Sequence, residues 1–87
     1  MNAELKAKWV EALRSGEYRQ CREQLHGFEN QYCCLGVLCK VVNHSTDPDR
    51  AYRWLDIVTG GYGPFVNMND HEGKSFTEIA DYIEKSL

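Results

Sequence analysis

The stretch Tyr32-Cys33-Cys34-Leu35-Gly36-Val37-Leu38-Cys39 decides the fold. It holds three of the four cysteines of the 87-residue chain, two of them adjacent. Such density invites a metal or redox reading, but the apolar spacing points elsewhere. Leu35, Leu38, Cys39 and Val42 recur at i, i+3, i+4 and i+7, and Val37 and Val41 add a second apolar face. A helix apolar most of the way round is a buried one. Free cysteine is among the most buried residue types and packs as a small hydrophobe. The stretch therefore predicts a strand running into the central helix of the domain. Gly36 would allow close packing in that helix's first turn.

Upstream, residues 3–15 read as an amphipathic helix with Leu5, Trp9 and Leu13 at i, i+4 and i+8. Asn2 suits the N-cap and Gly16 the left-handed position after the last turn. Residues 26–30, His-Gly-Phe-Glu-Asn, are turn-like between β-favouring flanks. They predict a β-hairpin with strands near residues 19–25 and 28–33. Downstream, Asp47 before Pro48 signals a helix start, and Ala51, Trp54, Leu55 and Val58 make its stripe. Thr59-Gly60-Gly61-Tyr62-Gly63-Pro64 ends that helix in a flexible turn. Residues 65–70 read as a short extended piece or loop. Ser75-Phe76-Thr77-Glu78 is a capping box, and Phe76, Ile79, Ala80, Ile83 and Leu87 form the apolar face behind it. The expected fold is one α+β domain over residues 1–87, a short hairpin packed on three to four helices.

Ten basic against thirteen acidic residues leave a net charge of −3. That balance disfavours direct nucleic-acid binding, which calls for a basic patch. Lys6, Lys8, Arg14, Arg19 and Arg22 lie early, whereas Asp70, Glu72, Glu78, Asp81 and Glu84 lie late. This is first of all a solvated surface, and a dipolar one. No apolar run approaches the roughly 18 residues of a membrane span, and the N-terminal segment lacks a signal-peptide core. A cytosolic protein with reduced thiols is expected.

Three segments carry a resemblance: residues 8–20 (KWVEALRSGEYRQ), 32–39 (YCCLGVLC) and 69–84 (NDHEGKSFTEIADYIE). Together and in this order they resemble a group of small phage- and prophage-encoded proteins. Residues 41–67 depart most and look short. The resemblance implies a phage-derived accessory protein acting in the bacterial host cytoplasm, and it supplies no catalytic residue. It supports the hairpin, because the related sequences are often glycine-rich there. Cys21 and Arg22 are departures from that pattern.

Zinc could draw on Cys33, Cys34, Cys39 and His44, but structural sites use paired spacings such as C-x2–4-C. Cys34 and Cys39 are five positions apart, about 140° round a helix, which is poor for one ion. No metal and no cofactor are expected. A cysteine nucleophile with His26 or His44 as base has no supporting pattern. The glycine turn lacks the lysine and the following helix of a phosphate-binding loop. Asn69, Asp70 and Glu72 lack an EF-hand register. Binding is the favoured function: Trp54 and Tyr62 as aromatic anchors, with Arg19, Arg22 and Asp70 as charged contacts. The expected role is a non-catalytic inhibitor of a host protein such as an antiviral defence component. The alternatives are a nucleotide-signal binder using Arg19, Arg22 and Tyr62, and a small zinc- or cysteine-dependent enzyme.

Overall fold

The computed structural model describes residues 1–87. Helix α1 runs Ala3–Arg14 and buries Trp9, Val10 and Leu13. The Asn2 side chain opens it by accepting from the Glu4 and Leu5 amides at 2.8 and 3.1 Å. Those donors have no partner inside the helix, which is why an N-cap residue stabilises it. The chain continues through β1 (Arg19–Gln20), β2 (Gln31–Tyr32), α2 (Cys34–Val41), α3 (Pro48–Thr59) and α4 (Gly63–Val66). A π-helical turn (Asn67–His71) and α5 (Phe76–Ser86) complete it. The α+β class is the expected one. No helix is long and apolar enough to cross a membrane.

Helix α2 is the centre, and every residue from Cys34 to Cys39 is buried. Helices α1 and α4 and strand β2 surround it. The Trp9 indole N–H donates to the Cys34 carbonyl at 2.8 Å, tying α1 to the first turn of α2. Gly36 faces the Leu25 carbonyl so closely that an added Cβ would overlap its oxygen. The far end closes on Asn43 in the left-handed region (φ 58°). There the His44 amide bonds the Cys39 carbonyl and the Asn43 amide bonds Lys40. This is a Schellman-type cap with asparagine in the place glycine usually takes.

Helix α5 lies along α1. Its capping box is complete: Ser75 Oγ accepts from the Glu78 amide at 3.2 Å, and Glu78 accepts from the Ser75 amide at 3.0 Å. The Ser75 amide holds the Glu78 carboxyl below its ordinary value. Phe76, Ile79, Ala80 and Ile83 are buried. On the rim Arg14 pairs with Asp81 at 2.5 Å and with Glu84. These pairs are solvent-exposed, so the apolar faces and not the charges hold the two helices together.

Two local expectations are corrected. The strands do not form the predicted hairpin. They pair in parallel, Arg19 with Gln31 and Gln20 with Tyr32. Leu25 is the reason. It is buried, so after β1 the chain must dive into the core and return before β2 begins. Left-handed residues Glu23 (φ 62°) and Glu29 (φ 55°) make the two reversals. The antiparallel arrangement survives as one bridge, His26 with Tyr32, closed by Gly27 N–H to the Gln31 carbonyl at 2.8 Å. Residues 65–70 are also not extended. Pro64 sits in the first turn of α4, Phe65 and Met68 are buried three apart, and the Glu72 amide bonds the Asn67 carbonyl in the i→i−5 pattern. The glycine turn therefore does lead into a helix, a four-residue one, but still without the lysine of a phosphate-binding loop.

Candidate interaction site

The cysteines are structural in their placement. Cys33 is the N-cap of α2, its sulfur accepting from the Gly36 amide at 3.4 Å. Burial pushes this thiol up to about 12. The Cys34 thiol donates to the Phe65 carbonyl at 3.6 Å, and burial likewise raises it. Cys39 lies on the far side of α2 with no exposed surface, and burial pushes it up to about 11. A catalytic cysteine, ionised at neutral pH, needs the opposite shift. Nowhere do three or more His, Cys, Asp or Glu side chains gather closely enough to hold a metal ion.

Neither candidate base, His26 or His44, is bonded to a thiol. His44 stacks on Trp54, ring centroids 4.4 Å apart, and its Nδ1 donates to the Ser45 carbonyl at 2.8 Å. His26 stacks on Tyr32 at 4.4 Å, and its Nε2 donates to the Glu29 carbonyl at 2.6 Å. Cys39→Ala should therefore cost about 1–2 kcal/mol through lost core volume, read as a lower urea midpoint. In the native protein Cys21 should alkylate before Cys39. Equal rates for the two would overturn the core assignment.

The five binding candidates fall in two places. Trp54 lies on α3 and Tyr62 three residues past its end, and both are half-buried; Tyr62 packs on Tyr52 with centroids 4.8 Å apart. Arg19 is exposed on β1, and Arg22 reaches over Gly73. Asp70 accepts from the Asn69 side-chain amide at 2.8 Å. None of the four surface clefts is lined by Arg19, Arg22 or Tyr62, so these residues do not converge on a pocket. The largest cleft, about 820 Å³, instead follows the outside of α1, between Lys6 and Arg14.

Two exposed apolar residues were not anticipated. Ile57 on α3 is 77% exposed and Phe28 in the loop between the strands is 76% exposed. Helix α3 buries Ala51, Leu55 and Thr59, and its half-buried Tyr52, Trp54 and Val58 pack against the core beside them. Ile57 lies three residues beyond Trp54 and four beyond Arg53, so the three share a face. Trp54 and Val58 continue that face toward the core as half-buried neighbours. A helical projection of residues 48–59 would have shown Ile57 among Arg50, Arg53 and Asp56, off the buried stripe. Phe28 could have been suspected from its place beside Gly27 in a turn.

Asn69, which the sequence offers only as a cation-ligand or turn candidate beside Asp70 and Glu72, has a different place. It is 1% exposed. Its side-chain oxygen accepts from the Cys34 amide at 3.1 Å and from Gln20 Nε2 at 2.8 Å. Its nitrogen donates to the Cys21 carbonyl and to Asp70, both at 2.8 Å. One side chain thus joins the end of β1, the start of α2 and the π-helical turn.

Fold and site together define a small, helix-rich α+β domain with a thiol-lined core and an exposed apolar helix face. Residues 1–56 match the family described as a domain of unknown function, DUF8296, and the chain belongs to that family. No curated protein and no solved structure matches it. The family match ends within α3. Residues beyond it, including Phe65, Ile79 and Ile83, share one continuous core with Trp9, Leu35 and Leu38.

Proposed function

We propose that this chain is a non-catalytic protein-binding domain that docks through the outer face of α3. The observation that carries this reading is Ile57, 77% exposed in the last turn of a twelve-residue helix. A single exposed isoleucine is unremarkable by itself. Here it continues a stripe with Trp54 and Val58, and Arg50 and Arg53 stand beside it. Tryptophan and arginine around an apolar centre match the composition of interface hot spots. The partner this reading takes is a protein of the bacterial host cytoplasm, inhibited by occlusion. The phage setting rests on the sequence resemblance alone.

The test is affinity capture from bacterial lysate with the wild type, Ile57→Asp and Ile57→Ser. A stoichiometric protein retained by the wild type and lost with Ile57→Asp supports the reading. Folding stability should move by no more than about 0.5 kcal/mol, since the site is exposed. Equal capture by wild type and Ile57→Asp, or repeated absence of any stoichiometric protein, sinks it.

A further inference from the structure

We propose that Cys21 and Cys33 are a reversible disulfide site that clamps the loop between the two strands. The parallel ladder pairs Arg19 with Gln31 and Gln20 with Tyr32. One step further in the same register sets Cys21 opposite Cys33. The Cys21 amide still donates to the Tyr32 carbonyl at 3.0 Å, so the strands have not parted there. Paired strands stand about 4.8 Å apart, inside the roughly 4.4–6.8 Å separation of α-carbons that a disulfide spans. Both residues also flank one segment. The Cys21 thiol donates to the Gln24 carbonyl at 3.7 Å, and the Cys33 amide donates to the Leu25 carbonyl at 3.2 Å.

The other thiols are directed elsewhere. Cys34 is bonded toward Phe65, and Cys39 is further along α2. Cys21 is half-exposed and Cys33 buried, which sets the order of events. The oxidant class is a low-molecular-weight disulfide. The Cys21 thiolate attacks one of its sulfurs, the S–S bond breaks, and one small thiolate leaves with the electron pair. The Cys33 thiolate then attacks the Cys21 sulfur of the mixed disulfide and expels the second small thiolate. Two protein thiols lose two electrons and two protons; the small disulfide becomes two thiols. Burial raises both protein thiols above their ordinary value, so the exchange is slow at neutral pH and faster in mild alkali. In a reducing compartment such a bond is transient, as redox-sensing disulfides are. Once formed, it fixes the loop that buries Leu25 and displays Phe28.

The folded chain is incubated with oxidised glutathione in mild alkali, free thiols are blocked, and unreduced peptides are mapped by mass spectrometry. The expected product joins the Cys21 and Cys33 peptides, weighs two hydrogens less, and melts about 5–10 °C higher. Dithiothreitol should reverse all three changes. Cys21→Ser, a change at a half-exposed position, should fold, form no link and show no rise. Glutathione held on Cys21 without a link, a link from Cys33 to another cysteine, or a Cys21–Cys33 link formed only in urea each overturns the proposal.

Discussion

Gly36→Ala should destabilise the domain by about 3 kcal/mol, although alanine is the better helix former. In an exposed helix interior the same change would stabilise by up to about 1 kcal/mol. Here the new methyl group would overlap the Leu25 carbonyl oxygen and come within 2.7 Å of its carbon. The obstacle is backbone, so no rotamer change relieves it. That carbonyl is also fixed, because it accepts the Cys33 amide at 3.2 Å. Either the loop lifts away and Leu25 leaves the core, or α2 shifts against Trp9 and β2. A chain of this size has a total stability of roughly 4–13 kcal/mol, so the loss is a large share of it. In urea the midpoint should fall with little change in slope. Gly63→Ala is the matched control: nothing lies within 4 Å of its added Cβ, and it should be nearly neutral. A Gly36→Ala midpoint equal to or above that of the wild type would show that loop and helix are not packed as described.

The contact at Gly36 also shows where sequence reading works and where it stops. Apolar periodicity exposes α2 as buried, because a helix with apolar residues all round has no other stable place. Local chemistry marks the helix ends: Asn2, Asp47-Pro48 and the Ser75–Glu78 box all sit at the predicted starts. A close approach can be suspected from a glycine in an apolar helix. What it approaches cannot, since Leu25 is eleven residues away across a loop. Strand direction fails for the same reason. Residues 19–33 carry good local hairpin signals, and burial of Leu25 overrides them by sending the chain through the core between the strands. Residues 65–70 mislead because a four-residue helix followed by a π-turn is too short to show a period. Of the candidate site, Trp54 was legible by residue type. Ile57 was legible only through a helical projection of residues 48–59, which sets it off the apolar stripe; how far it stands exposed comes from packing.

Asn69→Leu should cost about 3–4 kcal/mol despite its similar branched shape and greater hydrophobicity. The asparagine is 1% exposed and makes four hydrogen bonds, two through its oxygen and two through its nitrogen. Leucine would leave the Cys34 amide and the Cys21 carbonyl without those partners. Stranding a buried polar group costs roughly 1–3 kcal/mol, and two are stranded at once. Gln20 is exposed and keeps its bond to the Lys74 carbonyl at 2.8 Å, so its share of the loss is small. Asn69→Asp separates the two halves of the network. It keeps an acceptor for the Cys34 amide but aims a carboxylate at the Cys21 carbonyl and at Asp70. Burial and the neighbouring carboxylate raise the new group's folded pKa above its unfolded value. Its penalty is therefore absent below the unfolded value, about 3.9, and grows as pH rises through the folded one. The gap in melting temperature between Asn69→Asp and wild type should narrow on acidification, while the Asn69→Leu gap should not. A leucine variant as stable as wild type would mean that the strand end, α2 and the π-helical turn are held by apolar packing alone. A gap for Asn69→Asp that ignores pH would mean that the side chain at this position is open to water.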